Sequence, residues 1–504
     1  MTRLGPRDVD RVRDGVTVPR YDRAATRVGI VHFGVGGFHR AHQAGYVDDI
    51  LARGELDWGI CGVGLLPGDA AVAAVATEQA GLYSHVTVAP DGAESARVVG
   101  SLVRYLYGPS DQSAVQRVLR EPATRIVSLT VTEGGYGIDD TTGRFSPRDP
   151  ATLHDLAGLE TGAEPTSMLG HLAIALGARR ADGVAPFTVV SCDNIQGNGH
   201  VARAALTAFA RAIDPELADW IAAHVAFPCS MVDRITPVPT DRSRSRAAEL
   251  IGLDDPWAIT SESFAQWVIE DSFTTGRPGL EAVGVELVDD VEPFERMKLR
   301  LLNAGHQVLG HLGLLAGFTW VHEACRDASL AAFLRRYWRT EAVPTLGEVP
   351  GTDLDAYCDQ LMVRFQSDAV QDTLGRQVVD ASERLPKFLV PVLREQLHGG
   401  GPIDCCVLVL AAWGLRLGRE DAEDPTPDQH GAALRAAARR EEHEPGALLS
   451  FAPTFGDLGQ DPRVVAAYTS ARDALVSRGA AEVLSSFSAA PAADERRAAR
   501  GPRG

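Results

Sequence analysis

Between residues 27 and 53 the chain passes from a strand-like to a helical hydrophobic pattern across a cluster of glycines, and few architectures accommodate that order. Residues 27–33 read as a buried strand, Gly34-Val35-Gly36-Gly37 interrupts it, and residues 38–51 read as an amphipathic helix, with Gly54 standing where a helix stop belongs. A second apolar strand, residues 58–66, ends in Pro67-Gly68-Asp69, after which alanines and valines begin another helix. Further strands are expected at 125–132, ending in Glu133-Gly134-Gly135, and at 186–191, running into Cys192-Asp193-Asn194, with a helix at 166–180. Strands that alternate with helices predict an α/β fold with a parallel-sheet core covered on both faces.

After about residue 290 the character changes. Residues 298–318, 330–339, 354–365, 389–396, 403–416 and 429–440 read as helices with no strand among them, so a mostly α-helical domain should follow. The expected division is 1–290, 291–488, and a disordered tail, 489–504, made of Ala, Arg, Pro and Gly with nothing to bury. With 504 residues, 45% apolar and 23% charged, the chain is neither collagen-like, disordered nor a coiled coil. A formal net charge of −18 disfavours phosphate backbones and anionic lipid, so neither nucleic acid nor membrane is an expected partner. The longest apolar stretch, 405–415, is too short to span a bilayer. Seven widely spaced cysteines and no secretory pattern in residues 1–25 predict a reducing, cytoplasmic setting without a disulfide framework.

The glycine cluster lies where a dinucleotide's pyrophosphate would rest. Gly34, Gly36 and Gly37 would let the backbone turn and approach phosphates, and Phe38, His39 and Arg40 open the helix whose N–H groups would face them. His39 replaces the third glycine of the usual fingerprint, and a plain strand-to-helix turn explains the same residues. Asp69 is placed to accept hydrogen bonds from ribose hydroxyls, and without a following Lys or Arg it favours NAD over NADP; it would equally cap the helix it precedes. Glu133, at a strand end before two glycines, would face the cofactor or close a loop.

Of the 49 basic residues only Lys298 and Lys387 are lysine. Where arginine so dominates, a surviving lysine points to work that a permanently charged guanidinium does not do, since an amine can lose its proton. At about 100° per residue, Asn303 lies about 140° and His306 about 80° from Lys298, so the three share one helical face. A base, an amide donor and an imidazole so placed suit proton abstraction from a hydroxyl, although an interfacial polar stripe has the same composition. Asn194, at the carboxyl end of a strand, occupies a ligand-facing position or forms a turn. The Tyr-x-x-x-Lys pair of short-chain dehydrogenases is absent, with Phe294 and Glu383 at that distance from the lysines. No spaced metal motif and no Gly-x-Ser-x-Gly elbow is found.

Taken together, Phe33-Gly-Val-Gly-Gly-Phe-His-Arg-Ala-His-Gln43, Trp58-Gly-Ile-Cys-Gly-Val-Gly-Leu-Leu-Pro-Gly-Asp69, Thr130-Val-Thr-Glu133, Ser191-Cys-Asp-Asn194, Ser230-Met-Val-Asp-Arg234, the Lys298/Asn303/His306 run and Arg384-Leu-Pro-Lys-Phe388 resemble the long-chain polyol dehydrogenase family. The resemblance spans roughly residues 27 to 475, and His39 is normal within it. It implies a Rossmann-type N-terminal domain, a helical C-terminal substrate domain, a monomer, and metal-independent, NAD-dependent oxidation of D-mannitol to D-fructose. Lys298 would be the general base. Asn194 and Asn303 would stabilise the developing alkoxide. Asp233, His306, Arg376 and Arg384 would hold other hydroxyls of the polyol or ketose, Arg384 standing where some relatives carry Lys. Glu295 would pass protons between the lysine and solvent. Lys387 would touch substrate or lie on the surface. Fructuronate reductase and D-arabinitol dehydrogenase activities are the near alternatives, and a non-catalytic nucleotide-binding sensor the distant one.

Overall fold

The computed structural model describes residues 1–139, 142–158, 162–368, 371–419 and 426–489. The chain forms two compact units, Met1–Glu292 and Pro293–Gly504.

The first unit carries strands β1 (Val28–Phe33), β2 (Gly59–Gly64), β3 (Tyr83–Val88), β4 (Glu94–Val99), β5 (Leu102–Tyr107), β6 (Ile126–Leu129), β7 (Thr188–Ser191), β8 (Ser230–Asp233), β9 (Ile259–Glu262), β10 (Gln266–Glu270) and β11 (Glu286–Val288). Five of them form a sheet in the order β5-β2-β1-β6-β7 with every neighbouring pair parallel. The chain steps outward from β1 on one side, then returns to its other side for β6, so the strand order reverses between β1 and β6. Open α/β sheets take their ligands in the crevice that such a reversal leaves at the strand carboxyl ends.

Alternation along these strands shows that both faces are covered. Val31, Phe33, Cys61, Val63, Val127, Leu129 and Val189 pack with the helices Gln112–Arg120, Met168–Ala181, Asn198–Ile213 and Pro215–His224. Their neighbours Ile30, Ile60, Ile126 and Val190 point the other way, toward the helix Gln43–Ala52 and toward Val232, Ile259, Trp267 and Ile269. The expected parallel-sheet core is thus present.

Two features depart from the sequence reading. The helix expected over 38–51 is two helices, Gly37–Ala41 and Gln43–Ala52, broken at His42, whose φ is −121° and ψ −93°. Tertiary anchoring explains the break: the His42 ring stacks on Phe38 and lies edge-on to Trp267, and its Nε2 donates to the Gln266 carbonyl at 2.9 Å. The other departure is a pair of three-stranded sheets, β4-β3-β9 and β11-β10-β8, each mixing parallel and antiparallel pairs. Of their six strands, β8, β9, β10 and β11 have only three to five residues, too few for a period to register.

The second unit has helices and, among the described residues, no strand. Its centre is Asp404–Arg419, apolar on nearly every side and buried accordingly, in contact with Ala304–Leu315, Gly431–Arg440 and Pro462–Arg478. The expected tail lies, from residue 490 on, outside the described residues. All seven cysteines are buried, and none is in a disulfide. No helix among the described residues is long and apolar enough to cross a membrane.

One buried carboxylate in this unit has a measurable signature. Glu341, fully buried, accepts the backbone N–H groups of Cys405 and Cys406 at 2.6 and 2.8 Å, and so satisfies the start of the central helix. Burial pushes its carboxyl up to about 7, outweighing those two donors. A folded value above the unfolded one favours the folded state fully below about 4.5, and that contribution fades as pH rises through about 7. Glu341→Ala is therefore expected to cost about 2–4 kcal/mol near pH 5, where two buried N–H groups lose their acceptor, and to flatten the fall in stability between pH 5 and 8. Denaturant midpoints of both proteins at the two pH values test this. An unchanged pH slope in the variant would assign the titration to another group.

Candidate active site

In the first unit the candidate residues begin at the turn after β1. Gly34 adopts φ +91°, and a Cβ there would sit 2.0 Å from the Thr130 carbonyl oxygen, so the position admits only glycine. Thr130 secures the same crossing from β6, its N–H donating to the Phe33 carbonyl at 3.0 Å and its hydroxyl to that of Gly34 at 2.7 Å. At Gly36 a Cβ would meet nothing nearer than 3.8 Å, which leaves the loop surface open to a close ligand. At Gly37 it would press on Ile259 at 3.2 Å, where the helix packs on the β4-β3-β9 sheet. Turn, open approach and tight packing are what a pyrophosphate loop at the strand-order reversal asks of its three glycines, so these residues fit a dinucleotide.

Beside this loop, His39 and Arg40 turn inward. His39 is 1% exposed and stacks on His32 at 3.5 Å between ring centroids, and burial holds its imidazole well below the ordinary value. The Arg40 guanidinium is buried against the rings of Trp257 and Tyr83 and donates to the Trp257 carbonyl. What these two residues offer a ligand is backbone. Phe38 is partly buried and stacks on His42 at 5.0 Å. Asp69, half-buried at the first position of the helix Asp69–Glu78, accepts the Leu66 N–H at 2.9 Å and folds over Gly64 at the end of β2. Glu133 opens the short turn Glu133–Tyr136, and its side chain lies outside the described residues.

Asn194 directly follows Asp193 beyond the end of β7, and its side chain is exposed. Asp233 ends β8, opposite Gln266 of β10, and is 3% exposed.

In the second unit the expected helical run is not a single α-helix. An α-helix, Glu292–Met297, passes into a π-helical turn, Lys298–Asn303, and then into Ala304–Leu315. The Ala304 N–H reaches back five residues, to the Leu299 carbonyl. Regular α geometry would leave Asn303 about 140° round from Lys298. A ladder closing five residues apart brings Asn303 back over Lys298, in closer line than the α spacing predicts. The slipped register exposes backbone carbonyls, and other helices satisfy them: Tyr337 Oη donates to the Arg300 carbonyl at 3.0 Å and Trp338 Nε1 to that of Leu301 at 2.9 Å. The Arg300 guanidinium is fixed in turn by both oxygens of Glu395 and by the Thr345 carbonyl.

Lys298, Asn303, His306 and Glu295 are each less than one-tenth exposed. The His306 ring lies on Phe365, with centroids 4.5 Å apart. The next residue, Gln307, donates Nε2 to the Gln377 carbonyl at 2.8 Å, and Arg384 Nη1 donates to that same carbonyl at 3.0 Å. The structure therefore gathers Arg384 toward the Lys298–His306 run. Arg376, exposed, pairs with Asp372 at 3.1 Å. Lys387 is half-buried. Sequence reasoning missed Gln307, which carries no motif, and Asp193, which sits inside a quoted segment beside the residue that was singled out. Among the described residues no three His, Cys, Asp or Glu side chains cluster in a way that could hold a metal ion.

Residues 28–282 match the family described as "Mannitol dehydrogenase Rossmann domain", and residues 290–476 that described as "Mannitol dehydrogenase C-terminal domain". The mannitol 2-dehydrogenase of Cereibacter sphaeroides is 42% identical over 480 residues, 94% of this chain and 99% of that protein. That of Phaeosphaeria nodorum is 40% identical over 480 residues, covering 94% and 83%. Among solved structures, the ternary complex of Pseudomonas fluorescens mannitol 2-dehydrogenase with NAD and D-mannitol superposes with a TM-score of 0.88 at 39% identity, over 97% of this chain and all of that one. A substrate-free D-sorbitol dehydrogenase gives 0.86 at 35% identity over the same shares.

Proposed function

The chain belongs to the mannitol dehydrogenase family, and we propose that it catalyses the reversible, NAD-dependent oxidation of D-mannitol to D-fructose. The observation that carries this reading is the buried amine of Lys298, set with Asn303 and His306 along one helical run. Residues 1–290 form the cofactor domain and residues 291–488 the substrate domain of a cytoplasmic monomer.

Lys298, as the neutral amine, takes the proton from the C2 hydroxyl of the polyol. The acceptor for the hydride that leaves C2 would be supplied by NAD when bound. The carboxamides of Asn194 and Asn303 each supply an N–H to the oxygen on which negative charge builds, and the product carbonyl forms as the C2–H bond breaks. His306, Asp233, Arg376 and Arg384 hold the remaining hydroxyls. Glu295, one turn before Lys298, relays the proton from the amine to solvent. The backbone at Gly34, Gly36, Gly37, Phe38, His39 and Arg40, with Glu133 beside it, lines the pyrophosphate, and Asp69 accepts from the adenosine ribose.

A base must be unprotonated to act and protonated to reverse, so polyol oxidation should rise with pH while ketose reduction falls. The test is a panel of D-mannitol, D-sorbitol, D-arabinitol and D-mannonate with NAD and with NADP, and of the matching ketoses with the reduced cofactors, read as nicotinamide absorbance. D-Mannitol with NAD should give the highest kcat/KM. A preference for D-mannonate would assign the uronate activity instead, and cofactor binding without turnover on any substrate would leave a sensor.

A further inference from the structure

Asn194 is an exposed carboxamide directly after three buried residues, Ser191, Cys192 and Asp193. Asp193, immediately before it, turns its carboxylate inward, where it accepts the Val131 N–H at 3.1 Å, the Thr132 N–H at 2.8 Å and the Tyr136 hydroxyl at 2.7 Å. Thr132 holds φ +64°, a conformation that residues other than glycine rarely adopt, so the carboxylate secures a strained backbone. Tyr136 is fully buried, and its hydroxyl also meets Ser191 Oγ at 2.7 Å. The peptide joining Asp193 to Asn194 is gripped from the other side as well. Its carbonyl accepts Asn198 Nδ2 at 3.0 Å, and the Asn198 amide in turn bonds the backbone of Ser230 in both directions, at 2.7 and 2.9 Å. Ser230 Oγ closes the ring on the Ser191 carbonyl at 2.7 Å.

We propose that Asp193 is a positioning residue for Asn194: its buried carboxylate, with the Asn198 amide across the peptide, fixes the backbone that aims the Asn194 carboxamide. The inference rests on the reading of Asn194 as the donor to the developing alkoxide. An ionised carboxylate only accepts, and here both of its oxygens face N–H or O–H donors. An amide in its place would set an N–H against one of them and release that side of the turn. A donor held loosely loses most of its worth at the moment charge develops, while binding that does not depend on its aim is unchanged.

The test is a double-mutant cycle on kcat for polyol oxidation, with NAD affinity measured separately by fluorescence titration. Asn194→Ala should lower kcat about 10²-fold. Asp193→Asn should lower it about tenfold or more with NAD affinity unchanged, and the double variant should be no slower than Asn194→Ala alone, because Asp193 acts only through Asn194. Multiplying effects in the cycle would overturn the inference and leave the reading of Asn194 standing. A wild-type rate in Asn194→Ala would sink that reading and the inference with it. If Asp193→Asn does not fold, Tyr136→Phe removes one of the three donors, and the same cycle with Asn194→Ala decides by the same rule.

Discussion

Lys298→Ala is expected to lower kcat for D-mannitol oxidation by about 10³- to 10⁴-fold, the upper part of the range for loss of a general base, with NAD affinity within about twofold of wild type. The side chain is 8% exposed and stands in a π-helical turn fixed by Tyr337, Trp338 and Arg300, so its removal deletes the amine without loosening the backbone around it. The glycine loop that fits the nucleotide lies in the other unit, among β1, β6 and β9, and has no reason to respond. Stopped-flow reduction of NAD at saturating polyol measures the first quantity and fluorescence titration the second. A variant that kept a tenth of the wild-type rate would remove Lys298 from the proton transfer.

Lys298→Arg separates chemistry from charge. A guanidinium retains the positive charge and much of the length, but does not give up its proton in the accessible pH range. A base role makes this variant as slow as alanine; a purely electrostatic role would leave it near wild type. The pH profile carries the same information. Wild-type oxidation should climb with pH, and the residual rate of either variant should lose the part of that climb due to the amine.

The lysine stood out as a candidate because 47 arginines surround the question of why it was kept, and the glycine loop because its constraints are local. A positive φ at Gly34 and an open surface at Gly36 are properties of the backbone that residue type alone can announce. Side-chain direction was less legible. That Arg40 turns inward is decided by Trp257, 217 positions away in the chain, and that His39 is stacked by His32 on the central strand. The break at His42 has the same origin, a distant carbonyl and an aromatic neighbour outweighing a good helical pattern. The π turn left no trace, because a slip of one residue in a hydrogen-bond ladder changes no residue type. Its signature is the pair of donors, Tyr337 and Trp338, that meet the displaced carbonyls from a helix some forty positions on.

That slip gives Asn303 the second large effect. Asn303→Ala is expected to lower kcat for polyol oxidation by about 10²- to 10³-fold, the loss found when one preorganised donor to a developing oxyanion is removed, with little change in NAD affinity. The argument is geometric. In a continuous α-helix the carboxamide and the amine would stand about 140° apart, at the two edges of one broad face. The ladder closed five residues apart brings Asn303 into closer line with Lys298, so that on the proposed mechanism base and donor would reach the same C2 oxygen, one removing its proton and the other receiving its charge. Asn303→Asp is the sharper variant. It keeps the size and shape of the side chain but replaces an N–H donor with a carboxylate facing nascent negative charge, so it should be at least as slow as alanine. A structural role for Asn303 predicts the reverse order, with the near-isosteric aspartate more active than alanine. Measuring kcat for the two variants at one pH, with far-UV circular dichroism confirming the fold of each, tells these outcomes apart.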